Sequence, residues 1–217
     1  MHILHLDTLP RATKRAIERL KEAKFVARPN WYLAGGTALA LQAGHRQSED
    51  LDFFCTQEFN ESVLERELFE TGEWVTNMRD EGTLYGEFMG AKASFIFYPF
   101  FKPSEEKIYF GKISILTEHD IAAMKIIAIS QRGKKRDFID LYWYVLNRDP
   151  LLSVIQRALR QYLEKEHNVP HILKSLVYFE DAEADPMPKL FFKADWKTIK
   201  SYFKKEVPKI ARELLFR

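Results

Sequence analysis

A single cysteine, Cys55, stands among 217 residues. It rules out an internal disulfide, and no Cys/His set has zinc spacing. A reducing, cytoplasmic setting is therefore the expectation. Glycine and proline are sparse, nine of each, too few for a low-complexity or collagen-like chain. No run of about 18 apolar residues occurs, so no helical membrane span and no membrane partner are expected. The opening MHILHLDTLPRATKR carries charge where a secretory signal requires an apolar stretch. Charge of one sign is lacking too: 33 Lys and Arg against 31 Asp and Glu leave +2. A nucleic-acid partner would then be declared by the distribution of charge and not by its total.

What remains is ordinary globular material, 46% hydrophobic, 29% charged and 14% aromatic, enough for one large domain or two small ones. Thr8 is placed to cap a first helix from near Pro10 to about Ala27, with Pro10 where a helix start tolerates proline. Trp31–Ala34 reads as a short buried strand. Gly35-Gly36 breaks it, and Thr37–Ala43 follows as a helix. Asp50–Phe54 is a second strand and Asn60–Thr71 a helix. Trp74–Asp80, Thr83–Met89 and Ala93–Tyr98 are strands, the first two turned by Asp80-Glu81-Gly82. Ile108–Phe110 and Lys112–Leu116 are shorter strands or one bent hairpin. At Thr117 the composition changes. Thr117-Glu118-His119-Asp120 has the form of a capping box with Asp in the usual Glu place. Helices are expected beyond it at 118–131, 136–147, 151–166, 169–179 and 196–215, with Asp181–Pro188 as an acidic, proline-bearing loop. No internal repeat is present. The fold class expected is α+β: a half with strands over residues 1–116 and an all-helical half over 117–217, sharing a cleft because ligand sites favour such junctions.

The stretch from Tyr32 to Phe54, YLAGGTALALQAGHRQSEDLDFF, carries the chemistry. Asp50 and Asp52 are i and i+2 on an expected strand, so both carboxylates face one side. Two such carboxylates repel and call for a neutralising partner, and hard oxygen ligands suit Mg²⁺ or Mn²⁺. Gly35 and Gly36 let backbone approach a ligand closely, the helix start behind them offers N–H groups to a phosphate, and Thr37 adds a hydroxyl. A phosphate cradle beside an acid pair is equipment for moving a nucleotidyl group. Each piece alone is weak: a Gly-Gly turn is most often only a turn, and Asp-x-Asp is most often a solvated face. His45-Arg46 could reach a phosphate, although a capped loop is the plainer reading. Ser48 orders that loop, and Cys55 is packing.

Gly35-Gly36-Thr37, twelve residues, then Asp50-Leu51-Asp52-Phe53 resembles the first motif of the nucleotidyltransferase superfamily with the DNA polymerase β-like core. YLAGGTALAL…HRQSEDLDFF resembles, more narrowly, the AbiEii/AbiGii toxin family. Lys125…Ala128…Arg132 resembles that family's K-x-x-A-x-x-x-R helix, and Asp137…Asp140-Leu141-Tyr142 its D-x-x-D-L-Y motif. The matches span about half the chain; the last seventy residues hold no placed motif. The resemblance implies an α/β nucleotidyltransferase core with a mixed sheet, closed over its cleft by the helical half. It implies an enzyme that moves an NMP from an NTP to a hydroxyl, acting as the toxin of a toxin–antitoxin or phage-defence pair. An RNA acceptor such as the tRNA 3′ end, and a cognate antitoxin, are the implied partners. Asp50 and Asp52 would hold the metal, Gly35, Gly36, Thr37, Lys125 and Arg132 the triphosphate, and Asp137 would stand near the attacking hydroxyl. The superfamily's third carboxylate is replaced by Ser94, which leaves the general base open, with Asp137 as the candidate.

The residues themselves fit these roles and also plainer ones. Lys125 and Arg132 lie seven apart on one helical face, suited to a triphosphate, while Lys125 could equally be a snorkelling side chain. Asp137 and Asp140 share a face, and a structural ion pair is the alternative for Asp140. Residues 189–217 hold nine cations against three anions, Asp195, Glu206 and Glu213, so this tail carries +6 and the rest of the chain −4. Lys193, Lys197, Lys200 and Lys204 recur at helical spacing and could follow a phosphate backbone. Trp196, Tyr202 and Phe203 between them pack the helix. A solvated lysine face is the alternative. Two other readings of the whole chain stay open: transfer to a protein or small-molecule hydroxyl, and a nucleotide-binding module without turnover.

Overall fold

The computed structural model describes residues 3–28, 31–162 and 168–215. Arg217 and the end of the helix expected over 151–166 fall outside them. The chain divides into two compact units, Met1–Glu118 and His119–Arg217.

The first unit holds α1 (Arg11–Leu20), β1 (Tyr32–Ala34), α2 (Gly35–Ala43), β2 (Leu51–Cys55), α3 (Glu61–Thr71), β3 (Trp74–Asp80), β4 (Thr83–Phe88), β5 (Ala91–Phe97), β6 (Ile108–Phe110) and β7 (Ile113–Ile115). The seven strands form one sheet in the order β3-β4-β5-β2-β1-β7-β6. It is mixed: β1–β7 and β2–β5 are parallel, the other pairs antiparallel. Alternation along each strand assigns the two faces. In β2, Leu51, Phe53 and Cys55 are buried while Asp52 and Phe54 are half-buried. In β4, Leu84, Gly86 and Phe88 are buried while Tyr85 and Glu87 are exposed. The buried face carries the core. Phe53 stacks on Phe95 at 5.0 Å between ring centres, and Trp31 meets Phe95 edge-on at 5.3 Å. Each such ring removed from water contributes about 2–3 kcal/mol.

Among the boundaries that differ from expectation, three lie around the first strands or the helix before them. The first helix stops at Leu20, and the chain continues through a short 3-10 turn at Phe25–Ala27. The Lys21 carbonyl accepts the Lys112 N–H at 2.8 Å, and this tie to the β6–β7 turn, with Phe25 and Val26 buried, bends the chain out of the helix. The second helix begins at Gly35 rather than Thr37. β2 begins at Leu51, leaving Asp50 just outside it.

The second unit holds α4 (Glu118–Arg132, whose first residue belongs to the first unit), α5 (Lys135–Asn147), α6 (Leu151–Gln161), α7 (Val169–Ser175), α8 (Glu180–Glu183) and α9 (Trp196–Leu215). In α9, Ile199, Phe203, Val207 and Ile210 are buried, the stripe of an amphipathic helix. Phe138 of α5 meets Phe203, Trp196 and Phe179 at 5.6, 5.8 and 5.1 Å. The interleaved aromatics therefore pack the helix. The acidic segment expected as a loop contains the helical turn α8, and its Asp185 accepts the Lys135 N–H at 3.0 Å and pairs with Lys134 at 3.5 Å. No helix among the described residues is long and apolar enough to cross a membrane.

Candidate active site

In the first unit, the glycine turn and the acids come together through strand pairing. β1 and β2 are antiparallel with Ala34 opposite Asp52, so Gly35 leaves β1 beside that carboxylate. Gly35 has φ +70°, and a Cβ there would lie 2.9 Å from Asp52 Oδ2. Both the left-handed backbone and the close approach require glycine. At Gly36 a Cβ would fall 2.1 Å from Arg46 Nη2 and 3.2 Å from Ser48 Oγ. The space that Gly36 vacates is thus filled by a buried guanidinium, which also donates to the Gln47 carbonyl at 2.9 Å.

Thr37 is buried, and its hydroxyl donates to the Asp50 carbonyl at 2.5 Å and shares a hydrogen bond with Ser48 at 2.9 Å. The hydroxyl expected to meet a phosphate is committed to the backbone of the acid segment, because the Thr37 side chain points inward from α2. On the other side of β2, parallel pairing sets Ser94 opposite Asp52, and the Ser94 hydroxyl donates to Asp52 Oδ1 at 2.7 Å. Ser94 thereby holds the carboxylate while Oδ2 lies over the glycine turn. Asp50 and Asp52 are both half-buried.

This donor set fits one class of metal. Among the described residues no group of three or more His, Cys, Asp and Glu gathers to hold an ion. Mg²⁺ and its relatives bind through one or two carboxylates plus water and substrate phosphate. Asp50 and Asp52, near the start of α2, whose N-cap residue Ala34 makes no side-chain cap, match that mode.

The remaining motif residues form a separate cluster inside the second unit. Lys125 is 4% exposed, with its ammonium 2.7 Å from Asp137 Oδ1 and 2.7 Å from Asp140 Oδ2. Arg132 reaches Asp137 with two nitrogens, Nε to Oδ2 at 3.0 Å and Nη2 to Oδ1 at 3.2 Å. Helical spacing accounts for the meeting: seven residues on α4 and three on α5 bring these groups to facing stripes. Burial by itself would raise the Asp137 carboxyl, but the charges and hydrogen bonds of Lys125 and Arg132 outweigh it and hold the group below the usual carboxylate range. Both oxygens of Asp137 are thus engaged by cations of α4.

On the basic tail, Lys200 pairs with Glu183 at 2.5 Å, and Lys204 lies over the Phe179 ring at 5.9 Å. Two of the four lysines of the expected stripe are therefore engaged within the unit. Lys193 and Lys197 are exposed. Cys55 is buried, its Sγ donating to the Gln57 carbonyl, and burial pushes its thiol up to about 12.

The family model for the nucleotidyl transferase AbiEii toxin of type IV toxin–antitoxin systems matches residues 19–87 and 94–216. The chain belongs to the AbiEii family. This makes it a nucleotidyltransferase of a toxin family. An uncharacterized protein of Aquifex aeolicus is 35% identical over 186 residues, covering 82% of this chain and 86% of that protein. Among solved structures, JHP933 from Helicobacter pylori is similar with a TM-score of 0.55 at 18% identity, over 95% of this chain and 94% of that one. The nucleotidyltransferase toxin MenT4 of Mycobacterium tuberculosis also reaches 0.55, at 14% identity, over 93% and 86%. At such identities these structures speak for the fold, which is the mixed-sheet α+β arrangement described above.

The residues that carried the resemblance thus fall into two groups: Gly35, Gly36, Thr37, Asp50 and Asp52 in the first unit, with Ser94 against Asp52, and Lys125, Arg132, Asp137 and Asp140 in the second. Sequence reasoning gave little weight to Arg46 and Ser48, which lie directly against the glycine turn. The signal for them was the glycine itself, since a helix's second residue needs no glycine unless something occupies the Cβ position.

Proposed function

We propose that this AbiEii-family enzyme transfers an NMP from an NTP to the 3′ hydroxyl of an RNA, with tRNA as the natural candidate, and that it does so with a divalent cation as a cytoplasmic toxin answered by an antitoxin protein. The observation that carries the reading is Asp52. One oxygen is held by Ser94 and the other lies over the left-handed Gly35 at the start of α2. Asp50 and Asp52 would hold Mg²⁺ or Mn²⁺, which when bound supplies charge neutralisation for the triphosphate and the departing pyrophosphate. The backbone of Gly35 and Gly36 receives phosphate oxygens at the positive end of α2. Thr37 and Ser48 hold the acid segment in place.

In the second unit Asp137 and Asp140 hold the Lys125 ammonium, and Asp137 holds the half-exposed Arg132; the cluster presents cations suited to anionic charge. The acceptor oxygen bonds to the α-phosphorus as the bond to pyrophosphate breaks, and the hydroxyl proton passes to water or to a phosphate oxygen of the substrate. Exposed Lys193 and Lys197, with Lys200 and Lys204 behind them, favour an RNA acceptor over a small molecule.

The test is incubation with each labelled NTP, Mg²⁺ and deacylated tRNA, beside total RNA, total protein and small hydroxyl acceptors. Label is expected in RNA, with pyrophosphate released in equal amount. Label confined to protein or to a small acceptor would overturn the RNA assignment.

A further inference from the structure

Strand register runs a single row across four strands on the face that carries Asp52. Asp52 of β2 is opposite Ser94 of β5, Ser94 is opposite Tyr85 of β4, and Tyr85 is opposite Met78 of β3. Paired residues in a sheet point to the same side. Ser94 is small and buried, whereas Tyr85 and Met78 are 37% and 46% exposed. The row therefore descends from an exposed ring to a low floor and ends at the carboxylate. Strands lie about 4.8 Å apart, so the backbone of Tyr85 is roughly 10 Å from that of Asp52, about the span of one nucleotide. One step along the same face, Glu87 is opposite Lys92, and both are exposed. Lys92 lies two residues before Ser94, on the side of the row toward Asp50. An exposed ring and a cation beside an acid that serves phosphoryl chemistry are the parts of a single-strand platform, in which a base stacks and its phosphate meets charge.

We propose that the terminal base of a single-stranded RNA acceptor stacks on Tyr85, with Lys92 meeting its phosphate, and that this places the 3′ hydroxyl over the Ser94 floor beside Asp52. This rests on the nucleotidyl-transfer reading and adds the acceptor's position to it. Tyr85 is then a substrate-contact residue. Glu87 stands opposite Lys92 in the register, so the ring is expected to carry most of the affinity.

The experiment measures binding of a fluorescein-labelled single-stranded oligoribonucleotide with a free 3′ hydroxyl to the full chain, by anisotropy at fixed low salt. Tyr85→Ala should weaken binding roughly tenfold or more, the loss of one stacked base. Tyr85→Phe should bind like the parent, and Thr83→Ala, on the same face but one step away from Asp50, should change nothing. A blunt RNA duplex, whose bases are already stacked, should bind both proteins alike. In transfer assays Tyr85→Ala should raise KM for RNA and leave KM for NTP unchanged. Equal binding by Tyr85→Ala and parent, an equal loss in Tyr85→Phe, or no binding of the strand by the parent would each overturn the proposal. Circular dichroism confirms that the exposed substitutions leave the fold intact. Because binding is read without chemistry, its outcome is separate from that of Asp52→Asn, whose retained transfer would overturn the nucleotidyl-transfer reading alone.

Discussion

The two units treat their carboxylates in opposite ways. Asp50, just before β2, and Asp52, within it, are half-buried, whereas Asp137 and Asp140 are fully buried and closed onto Lys125 and Arg132. In the first, Ser94 of the neighbouring strand donates to Asp52; in the second, two cations of α4 close onto the acids. Acid pairs of similar appearance in sequence thus sit in different surroundings, and depth of burial separates them.

The sharpest break of that comparison is Asp52→Asn. It should lower transfer about a thousandfold or more, the scale of losing a metal ligand's charge stabilisation, while the urea midpoint hardly moves; steady-state pyrophosphate release and urea unfolding check the two halves. Lys125→Met should do the reverse in kind. It removes the buried ammonium that Asp137 and Asp140 share and should cost about 3–5 kcal/mol of stability, read by urea unfolding, with lost activity following the lost fold.

The same contrast has a pH signature. The folded-state pKa of Asp137 is held below its ordinary 3.8, so its contribution to stability is present above that value and is lost as pH falls below it. Unfolding free energy measured between pH 5 and pH 2 should drop, and Asp137→Asn should flatten the drop. Gly36→Ala comes next: its Cβ would meet Arg46 Nη2 at 2.1 Å, and displacing that buried side chain should cost about 1–3 kcal/mol, with KM for NTP rising. The smallest effect concerns Cys55, whose buried thiol should remain unalkylated by iodoacetamide at pH 8 until the protein unfolds.

Much of the candidate site was legible in the residues. Gly35-Gly36 before a helix and Asp50/Asp52 at i, i+2 are local patterns, and local patterns follow from backbone geometry alone. The separation of Lys125 from Arg132, and of Asp137 from Asp140, announced shared helical faces for the same reason. The helix break after Leu20 could not be read this way, because its cause is a hydrogen bond from Lys112, ninety-one residues downstream. Nor could the inward turn of Thr37, which answers to the Asp50 carbonyl, or the engagement of Lys200 by Glu183.

By itself the sequence determined the order of elements, the glycine-to-acid spacing and the buried face of α9, since these depend on near neighbours and on periodicity. Only the tertiary structure decided that Ser94 would grip Asp52, that Arg46 would fill the hollow above Gly36, that Asp137 would be held by both Lys125 and Arg132, and that Tyr85 would share a row with the carboxylate. Each of these is set by strand register or by helix-to-helix contact between residues distant along the chain, and register is a property of the assembled sheet and not of any one strand.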